Sequence, residues 1–278
     1  MTTGETKNPG RYERLFANLR ERNEKAFIPF VMLGDPDAAQ CEAIIETLTD
    51  SGADALELGI PFSDPVADGP VIQAASNRAL GAGITPDRCF EIISRVRGKH
   101  ADIPMGLLTY ANVVVGRGAE SFYRKAADSG VDSVLVADVP AVEAGYFVRC
   151  ASASGIDPVF VVPPNASDDK LREIAGLTKG YAYFLGRAGV TGADREMSAP
   201  PSRRVEFLSR AGSPPVIVGF GISKPEHVKA AVLSGASGAI SGSAVVEIIA
   251  RNLGDTKKTL DELAKFTSLM KSATKENA

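Results

Sequence analysis

Eight short apolar runs alternate with helix-patterned segments along 278 residues, and no Pro/Gly/Ser-rich linker separates them. This pattern predicts an α/β chain built as one closed (β/α)8 barrel, the TIM-barrel class. Three observations carry the prediction. The runs are nearly continuous in apolar residues, as parallel strands covered on both faces must be. Their number fits eight β/α units in roughly 250 residues. The competing open sheet announces itself with G-x-G-x-x-G after its first strand, whereas this chain reads Leu33-Gly34-Asp35-Pro36 there.

The elements come in order. Residues 11–23 set Tyr12, Leu15, Phe16 and Leu19 on one helical face and form an added N-terminal helix. Strands are expected at 26–33, 53–60, 103–110, 131–139, 157–162, 180–186, 215–221 and 236–241. Between them the 3.6-residue period places helices at 37–50, 86–97, 120–129, 141–153, 168–177, 201–210 and 225–233. Two further helices, 244–252 and 255–270, come after the last strand. The expected domain is 1–278, with an ordered core of about 11–271 between polar ends that should fray.

Composition excludes several classes. With 31 basic and 34 acidic residues the chain lacks the electrostatic footprint of a nucleic-acid binder. Its longest apolar run, residues 26–33, is far short of the ~20 residues that span a bilayer. The polar start, residues 1–10, carries no apolar core of a signal peptide. Cys41, Cys89 and Cys150 are odd in number and lack C-x-x-C spacing, so they read as reduced, helix-packing thiols of a cytosolic protein. Only two histidines are present, each alone in its segment, which leaves little for a His-rich metal site or a Ser-His triad.

Two intervals, after the second and the sixth strands, are longer than the rest. Both begin at the C-terminal end of a strand, where barrel enzymes build their sites. The second strand reads Ala53-Asp54-Ala55-Leu56-Glu57-Leu58-Gly59-Ile60, and alternation sets Glu57 on one face with Ala55 and Gly59. A carboxyl in apolar surroundings has its pKa raised by desolvation, which suits a general acid or base near neutral pH. The alternative is a buried Glu paired with Lys or Arg. Beyond it lie Asp64, Asp68 and three prolines. Asp68 is either a second carboxylate facing Glu57 or a helix cap before Gly69-Pro70. The loop from Gly186 to Ser198 is polar and glycine-containing, as expected of a hinged lid or of a disordered segment.

The last two barrel strands end in Gly219-Phe220-Gly221-Ile222-Ser223 and Ser241-Gly242-Ser243, the second running straight into a helix. Glycines let backbone N–H groups approach a ligand, and a helix N-terminus adds unpaired donors and a positive dipole end. At the seventh and eighth strands of a barrel this combination points to phosphate, with Gly192 as a further donor.

LELGIPFSDPVADGP, LLTYAN, VDSVLVADVP, RAGVTGA, GFGIS and AISGSA together resemble the α subunit of tryptophan synthase, over about residues 11–271. The resemblance implies a lyase of tryptophan biosynthesis that cleaves indole-3-glycerol phosphate to indole and glyceraldehyde 3-phosphate. It implies Glu57 and Asp68 as catalytic carboxylates, and Gly192, Gly221, Gly242 and Ser243 as phosphate ligands. Phe30, Leu108, Tyr110, Leu135, Tyr183 and Phe220 would form the indole pocket, and Arg187, Gly189 and Thr191 the lid, with Thr191 meeting Asp68 on closure. It further implies a cytoplasmic α2β2 heterotetramer. The β subunit, not this chain, would hold pyridoxal phosphate (PLP), and Phe62, Asp64 and Asn112 would meet that partner. Residues 113–116 depart from the Asn-Pro turn of some members. Two readings compete. Another phosphate-binding barrel enzyme would share the glycines but lack the Glu57–Asp68 pair. A non-catalytic homologue that only gates a PLP partner need not retain both carboxylates.

Overall fold

The computed structural model describes residues 9–186 and 202–275. Its first element, helix α1 (Arg11–Glu21), buries Tyr12, Phe16 and Leu19 along one stripe. At its start the Glu13 carboxylate accepts the Gly10 N–H at 2.9 Å. The buried stripe meets the N-terminal ends of the strands. The Tyr12 ring lies 5.4 Å from that of Tyr181, its hydroxyl is 3.1 Å from Ser133 Oγ, and Arg11 pairs with Asp132 at 2.8 Å. The added helix is therefore the floor of the barrel.

The strands are β1 (Ala26–Met32), β2 (Leu56–Gly59), β3 (Met105–Thr109), β4 (Ser133–Val136), β5 (Asp157–Val159), β6 (Val161–Val162), β7 (Ala182–Leu185), β8 (Val216–Gly219) and β9 (Gly238–Ser241). Every ladder between them is parallel, in the order β5-β4-β3-β2-β1-β9-β8-β7-β6. The two ends of this order are the two halves of the single strand expected at 157–162. One half pairs with β4 and the other with β7, so the chain through Phe160 closes the ring. The ladder breaks there for a local reason. Pro158 has no N–H to donate, and the Phe160 N–H goes to the Thr178 hydroxyl at 3.2 Å.

The remaining helices wrap the ring: α2 (Ala38–Asp50), α3 (Pro70–Gly81), α4 (Pro86–Lys99), α5 (Ala111–Val115), α6 (Ala119–Asp128), α7 (Gly145–Ala153), α8 (Asp168–Leu177), α9 (Ser202–Arg210), α10 (Pro225–Leu233), α11 (Ser243–Arg251) and α12 (Thr256–Ser272). Their starts obey local chemistry. Asp37, Thr85, Ser167 and Asp255 each accept a backbone N–H three residues on, satisfying a donor the helix leaves unpaired. Proline opens α3, α4 and α10, where the missing N–H is harmless. Asp35, fully buried at the end of β1, is gripped by Arg78 of α3 through two bonds of 2.7 Å. Burial pushes its carboxyl up, and Arg78 opposes that.

Besides the split strand, two helical segments differ from the expected elements. The helix expected at 141–153 is a 3-10 turn, Ala141–Glu143, with α7 beginning only at Gly145. The short helix α5 is absent from the expected elements, because its run of three valines carries little helical propensity. Its first N–H, from Ala111, is held by Asp138 at 2.8 Å. Cys41, Cys89 and Cys150 are free, buried thiols on α2, α4 and α7, as expected of packing residues. Among the described residues no helix is long and apolar enough to cross a membrane.

Candidate active site

Register sets the levels of the barrel interior. In-register partners of parallel strands point the same way, so Phe30, Glu57, Gly106 and Ser133 form one level across β1 to β4. Met32, Gly59, Leu108 and Leu135 form the next level toward the C-terminal ends. Two glycines on these strands make room. A Cβ at Gly106 would fall 2.8 Å from Ser133 Oγ and 3.3 Å from Glu57 Oε2. A Cβ at Gly59 would fall 2.6 Å from the Phe30 ring.

Glu57 is buried to 1% exposure. Among the described residues no Lys or Arg pairs with it. Tyr181, just before β7 on the far side of the ring, donates its hydroxyl to Glu57 Oε2. The other oxygen, Oε1, is buried with no hydrogen-bond partner among the described residues. Burial therefore dominates and pushes the carboxyl up to about 7, with the Tyr181 bond pulling the other way. Tyr181 is itself pushed well up by burial and by the nearby carboxyl, so its proton stays put.

Asp68 is buried at the top of the barrel, and it is not a helix cap. The cap of α3 is Gly69, with no side-chain bond. Instead burial raises the Asp68 carboxyl, and the neighbouring Tyr110 hydroxyl opposes that. Tyr110 also receives the Ala67 N–H at 3.3 Å, and its ring stacks on Phe62 at 5.3 Å. The loops after β2 and β3 are thus locked together around this carboxyl.

A cleft opens beside Asp68. Phe30, Leu108, Tyr183 and Phe220 give it apolar walls, and Gly221, Gly242 and Ser243 frame its other end. That end is rich in backbone donors. The first turn of α11 presents its N-terminal N–H groups there, where donors lack intrahelical partners and the macrodipole is positive. Phe220 and Gly221 both hold positive φ, +71° and +77°, a conformation costly for Phe and persistent only where neighbours enforce it. Gly219 has to be glycine, since a Cβ there would overlap the Tyr183 ring.

Eight of the residues named from sequence are brought together. Asp68, Phe30, Leu108, Tyr183, Phe220, Gly221, Gly242 and Ser243 line this one cleft. Three differ. Tyr110 lies outside the cleft lining, its hydroxyl taken by the Ala67 N–H of the loop from β2. Leu135 packs in the core in register with Leu108. Glu57 lies at the level beneath, drawn down by Tyr181. Phe62 is half-buried, while Asp64 and Asn112 are exposed on the adjoining loops. Arg187, Gly189, Thr191 and Gly192 lie outside the described residues.

Sequence reasoning missed Tyr181, Tyr12 and Ser133 around Glu57, and Ile72, Ile222, Ser223, Ile240 and Ala244 in the cleft wall. Ser223 stands in the GFGIS motif and Ala244 in AISGSA, so both were within reach. Tyr181 was not, because it sits 124 positions from Glu57 and meets it only once the barrel closes.

A closed parallel barrel with two buried carboxyls and a glycine-framed cleft at the C-terminal ends of its strands is the build of a barrel enzyme. Similarity to known proteins narrows the class. The family model described as tryptophan synthase alpha chain matches residues 16–275. The tryptophan synthase alpha chain of Vibrio parahaemolyticus is 54% identical over 266 residues, 96% of this chain and 99% of that one. That of Salmonella typhimurium is 54% identical over 95% of this chain and 99% of the relative. Among solved structures, a tryptophan synthase alpha subunit from Legionella pneumophila superposes with a TM-score of 0.86 at 28% identity, covering 97% of this chain and 100% of its own. A chain of a Pyrococcus furiosus tryptophan synthase complex gives 0.78 at 34% identity, covering 89% and 98%. The chain belongs to the tryptophan synthase alpha chain family.

Proposed function

We propose that Glu57 and Asp68 carry out the reaction of this family, the cleavage of indole-3-glycerol phosphate to indole and glyceraldehyde 3-phosphate. The carrying observation is the pair of buried, pKa-raised carboxyls, one lining and one beneath a cleft that offers apolar walls at one end and backbone donors at the other. The bond to be broken joins indole C3 to the glycerol chain. It breaks once C3 is protonated, because the ring can then accept the bonding electron pair. Glu57, with a pKa of about 7, holds a proton to give near neutral pH. That proton belongs on Oε1, the oxygen with no partner in the resting site. Turning the carboxyl away from Tyr181 carries it up toward the cleft.

With C3 protonated, positive charge spreads to the indole nitrogen. Asp68, at the cleft wall beside Tyr110, is the group placed to stabilise that charge. Glu57, now a carboxylate, takes the proton of the hydroxyl on the departing carbon. The C–C pair returns to the ring, the hydroxyl carbon becomes the aldehyde, and Glu57 is again protonated. Protons and electrons balance without any further reactant. The phosphate anchors at Gly221, Gly242 and Ser243, so its binding energy fixes the geometry of the distant reacting bond.

The family has no cofactor of its own; PLP resides in the β subunit that receives the indole. Exposed Asp64 and Asn112, with Phe62 beside Tyr110 and the 74% exposed Val66, offer the contact surface for that partner, in an α2β2 assembly. We read the chain as one domain, 1–278, acting in the cytoplasm, which fits three reduced, buried thiols and a biosynthetic role. The test is indole release from indole-3-glycerol phosphate, with and without a β subunit. Indole and glyceraldehyde 3-phosphate in equal amounts are expected. Stimulation of a partner with no indole formed would reverse the reading in favour of a non-catalytic homologue.

A further inference from the structure

His227 lies on the first turn of α10, and no step of the proposed cleavage uses it. It is half-buried, and its Nδ1 accepts the backbone N–H of Ser223 at 3.2 Å, with the Ser223 hydroxyl oxygen 3.5 Å away. An Nδ1 that accepts an N–H carries no proton, so this ring is the neutral Nε2–H tautomer. Ser223 lines the cleft and closes the run Phe220-Gly221-Ile222-Ser223, which frames the anion end.

That run needs holding. Two successive residues with positive φ, one of them a phenylalanine, do not persist unless their surroundings fix them. The structure supplies one fastening on each side. From the strand side, fully buried Ser241 donates its hydroxyl to the Ile222 carbonyl at 2.6 Å. From the helix side, the His227 ring takes the next N–H, that of Ser223. The first fastening is buried and belongs to the barrel. The second is a single side chain on a surface helix, and nothing else in the proposed chemistry explains an imidazole there.

We propose that His227 is a positioning residue for phosphate binding: its Nδ1 lone pair holds the Phe220–Ser223 turn in the shape that aims the Gly221 region at the phosphate. The proposal rests on reading this cleft end as the phosphate site. His227 touches neither phosphate nor reacting atoms. Its loss should weaken binding while leaving the cleavage step intact.

The test compares wild type, His227→Leu and His227→Gln, as full chains with the β subunit present. For each, kcat and KM for indole-3-glycerol phosphate are measured, together with the inhibition constant of inorganic phosphate as a competitor. Leucine fills the ring's space without an acceptor, whereas glutamine offers a carbonyl oxygen in its place. Losing one hydrogen bond predicts a rise of about five- to tenfold in both KM and the phosphate constant for His227→Leu, with kcat within about twofold. His227→Gln should restore both binding values, which a merely structural role would not require. Phosphate that competes equally well with wild type and His227→Leu overturns the role of His227 and leaves the phosphate site standing. So does a glutamine variant as weak as the leucine variant. Phosphate that fails to compete with wild type overturns the site itself and the proposal with it.

Discussion

Glu57 is the residue on which the proposed chemistry turns. Its carboxyl is buried among apolar walls and receives one hydroxyl where a carboxylate would want several donors. Two outcomes are expected. The folded protein holds a proton at about 7 that an unfolded Glu releases near 4.5, so the native state binds more protons between these values. Stability conferred by the protonated site is full below 4.5 and is lost as pH rises through 7. Glu57→Gln, which cannot ionise, should therefore gain roughly 2–3 kcal/mol relative to wild type between pH 4.5 and pH 8. Denaturant titrations at the two pH values read this directly, and an identical difference at both would contradict it. The Tyr181 hydroxyl favours the carboxylate, so Tyr181→Phe should raise the Glu57 pKa further. The alkaline fall in kcat/KM should then move up by about one pH unit. A limb that stays in place, or moves down, would show that Tyr181 does not govern this proton. Glu57 was legible in the sequence as an ionisable residue in an apolar strand. Its partner was not, since Tyr181 stands across a barrel that only tertiary closure defines.

At the scale of the element, function rests on the turns that leave the C-terminal strand ends. The turn after β8 holds Phe220 and Gly221 at positive φ, and Gly219 yields its side-chain volume to the Tyr183 ring. Gly219→Ala should push Tyr183 into the cleft. We expect a rise in KM of at least roughly tenfold, with the fold weakened by about 1–3 kcal/mol for overpacking. Substrate kinetics and a thermal melt measure both effects, and a normal KM would mean that the ring is free to move aside. The glycine turns and the Ser243 helix start were readable because they are local features of sequence, whatever the surroundings. The break of the expected fifth strand at Phe160 was harder to see. It depends on a proline that cannot donate and on a Thr178 hydroxyl 18 positions away. The valine-rich α5 is hidden from periodicity because its stability comes from Asp138 and from packing rather than from propensity.

The barrel is closed below by α1. Closure places Tyr12, Tyr181 and Ser133 around the Glu57 carboxyl, and the C-terminal strand ends carry the cleft. Periodicity was enough to find the strands and the added N-terminal helix. That the helix is the floor of the acid site, and that Glu57 rests one level below the substrate space, are properties of the closed ring. A chain with only two histidines suits an enzyme whose proton transfers run through carboxyls. The proposed mechanism depends above all on Glu57 delivering and recovering one proton. The direct test is steady-state indole release from indole-3-glycerol phosphate by Glu57→Gln, with the β subunit present. Loss of the acid–base group predicts a kcat lower by about 10²–10⁴-fold with KM changed less than about threefold, because phosphate and indole contacts remain. A variant that releases indole at near the wild-type rate would contradict the mechanism at its centre.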